Sequence, residues 1–119
     1  MTAAVVATWT PVCRIEALEP ERGVAALLDG RQVALFRTHE GSVHALGNVD
    51  PFSGAAVLSR GIVGDRGGVP TVASPVYKQV FSLVDGTCLD DPTVRVEVYD
   101  VSVDGGIVAL RAVSQRVGR

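Results

Sequence analysis

Glycine and proline interrupt this chain at short intervals, with 13 glycines and 6 prolines among 119 residues. A helix of ordinary length has little room between such breaks, whereas strands of about four to eight residues fit well. Valine fills many of the intervening segments, and β-branched side chains suit the pleated surface of a strand. We therefore predict an all-β fold, an antiparallel β-sandwich of short strands with at most one short helical turn.

The size and charge of the chain exclude several classes of function. Its 119 residues suffice for one hydrophobic core, so we predict a single domain over residues 1–119 with an ordered core at about 8–112 and flexible termini. A net charge of −2 gives no electrostatic hold on a phosphate backbone, which argues against nucleic acid as a partner. No apolar run approaches the ~20 residues of a membrane-spanning helix, and no basic residue precedes the short apolar start. We expect a cytoplasmic protein without a signal peptide.

The first part of the chain favours antiparallel hairpins. An Asp29-Gly30 step separates two apolar segments, at residues 24–28 and 32–37, and this is a strong hairpin signal. The other strands expected in this part are residues 8–15 and 43–46.

The middle of the chain is less regular. Residues 55–60 are compatible with one helical turn. Four glycines and a proline lie within residues 61–72, so we predict an irregular loop there with one or two short strands. A strand is expected at residues 78–84.

The clearest strand signal lies near the C-terminal end. Apolar residues alternate there with polar or aromatic ones, which is the period of a strand with one buried face. The alternation covers residues 94–99 and resumes at Val101 after a phase shift, which predicts a bulge near Asp100. A glycine turn and a returning strand at residues 107–112 complete the hairpin.

The residue types that carry most catalytic chemistry are few. The chain has two cysteines and two histidines, and none forms a C-x-x-C, H-E-x-x-H or similar motif. Cys13 lies in a strand pattern and is expected to be a small buried hydrophobe, while Cys88 lies in a turn and is expected to be partly exposed. His39 is interpreted as a solvated turn residue and His44 as a structural one.

Residues 45–58 resemble the first ligand loop of a Rieske domain, where the pattern N-x-C-P-H-x-G-x-x-L follows a short strand. Asp50 stands at the position of the cysteine and Phe52 at that of the histidine. The residues that agree or nearly agree with the pattern are Asn48, Pro51, Gly54 and Leu58.

Residues 74–83 resemble the second Rieske loop, C-P-x-H-G-x-x-F. Ser74 stands at the cysteine position and Tyr77 at the histidine position. A Rieske cluster needs two thiolates and two imidazoles, so the resemblance implies a Rieske-like fold whose two hairpin-type loops hold no iron–sulfur cluster. We predict that the aromatic residues Phe52 and Tyr77 pack together in the space that the cluster would occupy.

A Rieske-like fold without its ligands is similar to the small subunits of assimilatory NAD(P)H-dependent nitrite reductases. The resemblance rests on the Asn-Val-Asp-Pro-Phe-Ser and Val-Leu-Ser-Arg-Gly segments, on Gly64-Asp65 and on Ser74-Pro75 with the residues that follow. It implies a partner, a large subunit that carries FAD, a four-iron cluster and sirohaem and reduces nitrite to ammonia. It implies neither catalytic residues nor a cofactor in this chain.

Residues 59–70 are the segment that we expect to bind the large subunit. The segment is long and rich in glycine for a connection in a small β-domain, and arginine is enriched in interfaces. The candidate contact residues are Arg60, Ile62, Val63 and Arg66. The alternative hypothesis is a stand-alone, metal-free β-domain that acts as a binding or regulatory module, while the missing ligands argue against a ferredoxin-type electron carrier.

Overall fold

The computed structural model describes residues 8–113, and that part of the chain is all-β. It contains nine strands and two single-turn 3-10 helices. The strands are β1 (Thr10–Arg14), β2 (Gly23–Leu28), β3 (Arg31–Arg37), β4 (Val43–Gly47), β5 (Ile62–Arg66), β6 (Val69–Ala73), β7 (Val80–Ser82), β8 (Val98–Asp104) and β9 (Ile107–Ala112). The 3-10 helices span Ile15–Ala17 and Leu58–Arg60.

The strands form two antiparallel sheets. The larger sheet has six strands in the order β1-β9-β8-β4-β3-β2, and the smaller has three in the order β5-β6-β7. The predicted all-β, antiparallel fold of short strands is confirmed. The helical turn expected at residues 55–60 is present as Leu58–Arg60, but the expectation of at most one such turn is wrong because a second lies at Ile15–Ala17.

β3 lies between two hydrophobic cores, which explains its continuous apolar sequence. Val33 and Leu35 face one core, and Ala34 and Phe36 face the other; all four are fully buried. We call the core on the Val33 side the barrel core, since β1, β8 and β9 close around it. The core on the Phe36 side, which we call the loop core, joins the two sheets through Leu46, Leu58, Val72, Phe81, Leu83 and Cys88.

The short strands expected within residues 61–72 are present as β5 and β6, but they form a regular hairpin and not an irregular loop. Residues 62–66 pair with residues 69–73 without interruption. Gly67 and Gly68 have φ angles of 63° and 89°, and a two-residue hairpin turn with positive φ at both positions requires such residues. The two glycines therefore permit a tight two-residue turn, and the segment around them is regular.

The strand predicted to begin at residue 94 begins at Val98, so this prediction is wrong for residues 94–97. The alternation itself is real, because Val96 is buried and Val94 and Val98 pack against the loop core. Their pairing is limited to an isolated bridge between Thr87 and Arg95 and to backbone hydrogen bonds with Cys88, Gly86 and Gly47, which is too little for a regular strand. The bulge expected near Asp100 is absent, since β8 pairs with β9 in continuous register; the irregularity lies in β1, between Pro11 and Cys13.

The expectations for the termini at residues 1–7 and 114–119 lie outside the described residues. No helix within residues 8–113 has the length and apolarity needed to cross a bilayer.

Candidate functional site

The first of the two Rieske-like loops follows β4 and is held by Asn48. The amide Nδ2 of this buried side chain donates hydrogen bonds to Gln32 Oε1 at 3.0 Å and to the carbonyl of Ala56 at 3.2 Å. Its Oδ1 accepts a hydrogen bond from the backbone N–H of Ser59 at 2.7 Å. One side chain thus ties the start of the loop to β3 and to the 3-10 helix at Leu58–Arg60.

The second loop connects β6 to β7 and is closed by its own backbone. The N–H of Ser74 donates to the carbonyl of Gln79 at 2.9 Å, and the N–H of Lys78 donates to the carbonyl of Ser74 at 3.0 Å. Lys78 has a φ angle of 67°, an uncommon conformation for a residue with a side chain. The loop is consequently tight, and Tyr77 lies at its tip.

A buried hydrogen bond joins the two loops at the two cysteine positions of the Rieske pattern. Ser74 Oγ donates to Asp50 Oδ2 at 2.5 Å. Asp50 Oδ1 accepts a hydrogen bond from the backbone N–H of Phe52 at 2.8 Å. Asp50 is 0% exposed and Ser74 1%, so water does not compete for this contact.

The aromatic pair of the site differs from the predicted one. Phe52 packs against the loop core, where its ring centroid lies 6.1 Å from that of Phe81 with the planes inclined by 50°. Tyr77 is 60% exposed, so the predicted contact between Phe52 and Tyr77 is wrong. The tight second loop turns residue 77 outward, and Phe81 on β7 supplies the ring that packs on Phe52.

None of the cysteines and histidines lies at one of the four ligand positions of the Rieske pattern. Cys13 is half-buried and packs against the barrel core, so it is less buried than expected, and burial raises the pKa of its thiol. Cys88 is fully buried in the loop core, so its expected partial exposure is wrong. His39 lies 3.1 Å from a carboxylate oxygen of Glu21, and His44 lies on β4, where burial lowers the pKa of its imidazole.

These residues do not fit a Rieske cluster. Such a cluster needs two thiolates on one iron and two imidazoles on the other. The matching positions hold a carboxylate, a hydroxyl, a phenyl ring and an exposed phenol, and the first two are hydrogen-bonded to each other. Within residues 8–113, no group of three or more His, Cys, Asp or Glu side chains is arranged to hold a metal ion.

The four candidate docking residues lie in or next to β5, and they differ in what they present. Arg60 is exposed and Ile62 is 74% exposed, so both side chains are accessible. The side chain of Val63 is partly buried and packs against the loop core. Arg66 Nη1 lies 3.3 Å from Asp90 Oδ1 in an ion pair that is about half exposed.

The fold and the two paired loops define the class of protein, a Rieske-like domain. Residues 8–111 match the family described as the Rieske-like [2Fe-2S] domain. The "Nitrite reductase (NADH) small subunit" of Salmonella typhimurium is 46% identical over 104 residues, which cover 87% of this chain and 96% of the relative. The protein of the same name in Escherichia coli K12 is 45% identical over the same span. This chain belongs to the family of nitrite reductase small subunits.

Solved structures agree with this assignment. A Mycobacterium tuberculosis protein, provisionally described as an NADH-dependent nitrite reductase small subunit, has a TM-score of 0.89 and 57% identity, covering 93% of this chain and all of that one. The ferredoxin of carbazole 1,9a-dioxygenase from Nocardioides aromaticivorans has a TM-score of 0.74 and 26% identity, covering 87% of this chain and 96% of that one.

One relative is a much longer protein. The nitrite reductase NAD(P)H large subunit of Klebsiella oxytoca is 44% identical over 100 residues, which cover 84% of this chain but 10% of that large subunit. A segment similar to this chain is therefore part of that large subunit.

Proposed function

We propose that this chain is a non-catalytic subunit of an NAD(P)H-dependent nitrite reductase and that it acts by binding the large subunit. In this assembly the large subunit carries the FAD, the four-iron cluster and the sirohaem, and it reduces nitrite to ammonia. The small subunit holds no cofactor, and the complex works in the cytoplasm.

The observation that carries the cofactor-free role is the hydrogen bond between Ser74 Oγ and Asp50 Oδ2. Both oxygens are buried and turned toward each other where a Rieske protein places its two thiolates. Oxygen donors are poor ligands for iron–sulfur chemistry, and Phe52 offers no donor atom. The residues of both loops thus favour a structural connection over electron transfer.

The Klebsiella oxytoca relative supports the choice of partner. A segment similar to this chain is joined covalently to the remainder of a nitrite reductase large subunit in that protein. Such a linkage makes the effective concentration of the two parts high, which favours their contact. In this chain the same contact would form between separate subunits.

The docking surface proposed here includes Arg60, Ile62, Val63 and Arg66. Ile62 offers an exposed apolar side chain between two arginines, and interfaces combine apolar contacts with arginine. Val63 contributes through its backbone, because its side chain packs inward.

Association with the large subunit of the same organism tests this function. The two chains should form a complex in size-exclusion chromatography, and NAD(P)H-dependent ammonia production should be compared with and without the small subunit. Replacing Arg60 and Arg66 together with alanine should weaken the complex, whereas the matched pair Arg14→Ala and Arg22→Ala should not. Failure of the unsubstituted chains to associate would contradict the proposal and favour a stand-alone binding module.

Metal analysis tests the cofactor-free role separately. Small subunit purified without oxygen should be colourless and should contain no stoichiometric iron or acid-labile sulfide. One cluster per chain would overturn this part of the proposal even if the two subunits bind.

A further inference from the structure

The outer edge of β5 is unpartnered within residues 8–113. β5 is the first strand of the three-stranded sheet and pairs with β6 on one side only. Soluble proteins usually protect such edges with proline, charged side chains, bulges or a covering segment, because unpaired N–H and C=O groups attract further strands. β5 contains no proline, its pairing with β6 shows no bulge, and its two charged residues, Asp65 and Arg66, lie at the end next to the turn, which leaves Ile62, Val63 and Gly64 without a charge.

The register identifies which backbone groups face outward. The carbonyl of Pro70 on β6 accepts a hydrogen bond from Leu83, so it points toward β7 and away from β5. Asp65 lies opposite Pro70, and residues at such a position in an antiparallel pair direct their own N–H and C=O away from the partner strand. Because strand geometry repeats every two residues, the N–H and C=O of Val63 point outward as well.

A cleft of about 270 Å³ adjoins β5 and the turn between β3 and β4. Carboxylates from three separate segments line this cleft: Glu21, Glu40 and Asp65. The only basic group among its lining residues is the imidazole of His39, which is already within 3.1 Å of Glu21. The charged side chains that line the cleft beside β5 are therefore predominantly acidic.

We propose that β5 accepts an extended, basic segment of the large subunit as a fourth strand of the small sheet. This inference rests on the proposed function and adds the mode of binding. Backbone hydrogen bonds to Val63 and Asp65 supply the affinity of strand addition, while lysine or arginine side chains of the added segment lie against the carboxylates of the cleft. A second copy of this chain is disfavoured as the occupant, since pairing two β5 strands would bring two acidic clefts together.

Residue-resolved hydrogen exchange of the small subunit tests strand addition directly. The free chain and its complex with the full-length large subunit are compared. In the complex, exchange of the Val63 and Asp65 amides should slow by about tenfold or more, because they gain hydrogen bonds. The Gly64 and Arg66 amides already face β6 and should slow less. Docking through side chains alone would not produce this alternation.

Charge reversal tests the proposed character of the added segment. Glu21→Lys combined with Glu40→Lys should weaken the complex by about tenfold or more, and the effect should shrink at high salt. Glu16→Lys combined with Asp104→Lys is the matched control, since both residues are exposed and neither lines the cleft. If the two double variants weakened the complex equally, the proposed basic character of the added segment would be contradicted.

The outcomes separate this inference from the function on which it rests. Normal complex formation with unchanged exchange at Val63 and Asp65 would overturn strand addition and leave the subunit role intact. Absence of any complex would overturn both. Concentration-dependent protection of the same two amides without the large subunit would identify a second copy as the occupant and would also overturn the inference.

Discussion

Ser74 Oγ and Asp50 Oδ2 lie 2.5 Å apart at the junction of the two loops, each on a residue that is almost completely buried. This distance lies at the short end of the range for O–H···O hydrogen bonds in proteins. In a Rieske protein the cluster cross-links these two loops through its ligands. Here the side chains of Asp50 and Ser74 join the two loops directly through a hydrogen bond.

Removal of the donor in this pair should destabilise the domain. Ser74→Ala leaves Asp50 Oδ2 buried without its hydrogen bond, which costs about 1–3 kcal/mol of unfolding free energy. A urea titration measures the loss. Ser102→Ala on β8 is the matched control, because Ser102 is half-buried and far from both loops in sequence, and its effect should stay within about 0.5 kcal/mol. Equal midpoints for Ser74→Ala and the unsubstituted protein would show that the bond contributes nothing.

The two aromatic residues at the histidine positions should differ in their contribution to stability. Phe52→Ala removes a ring that packs on Phe81 and on the loop core, and we expect a loss near the lower end of the about 3–5 kcal/mol typical of such truncations. Tyr77→Ala removes an exposed side chain and should change the unfolding free energy by less than about 0.5 kcal/mol. Denaturant titrations of both variants provide the measurement, and a larger loss for Tyr77→Ala would contradict the observed packing.

Gly23 should tolerate no side chain, because β2 lies directly against the 3-10 helix that follows the first loop. A Cβ atom at this position would lie 2.1 Å from the backbone oxygen of Ser59. Gly23→Ala should therefore cost about 1–3 kcal/mol through displacement of the backbone. Gly64→Ala is the matched control on β5, since its Cβ would meet only Thr71 Oγ1 at 3.5 Å. Thermal unfolding of the two variants should separate them, and equal midpoints would contradict the close approach.

Local sequence patterns predicted the strands and turns well where each residue type pointed to a single kind of structure. The continuous apolar strand β3 and the turn at Asp29-Gly30 are examples, because apolar runs and turn residues act over short distances. The β5–β6 segment was harder, since glycines there reduce strand propensity while Gly67 and Gly68 also permit a tight hairpin turn. Only the pairing of residues 62–66 with 69–73 resolves that ambiguity.

The sequence predicted which residues form the candidate site but not how their side chains are oriented. The Rieske spacing identified Asp50 and Ser74 as corresponding positions, and the structure brings them into contact. The spacing did not indicate that Tyr77 turns outward and that Phe81 packs on Phe52, because these orientations depend on the tight backbone of the second loop. Tertiary packing of this kind leaves no periodic signal in one sequence.

The stability of the domain should fall as the pH decreases from about 7 toward 5, and His44 should account for part of this loss. Burial lowers the pKa of His44 in the folded state, partly offset by a backbone hydrogen bond to Leu83, whereas in the unfolded chain the imidazole titrates near its usual value of about 6.5. Between these two pKa values the unfolded state binds more protons than the folded state, so acidification favours unfolding. Below the pKa of His44 in the folded state, further acidification no longer lowers the free energy of unfolding through this residue.

His44→Gln should therefore reduce the change in unfolding free energy between pH 7.5 and pH 5.5, as measured by urea titration at both values. His39→Gln is the matched control, because His39 is an exposed turn residue beside Glu21 and does not belong to either core. Ser42 Oγ lies 3.1 Å from His44 Nε2 and can either donate to a neutral imidazole or accept from a charged one, so it does not oppose the effect of burial. If the His44→Gln variant retained the full pH dependence of the unsubstituted protein, the lowered pKa of this histidine would be contradicted.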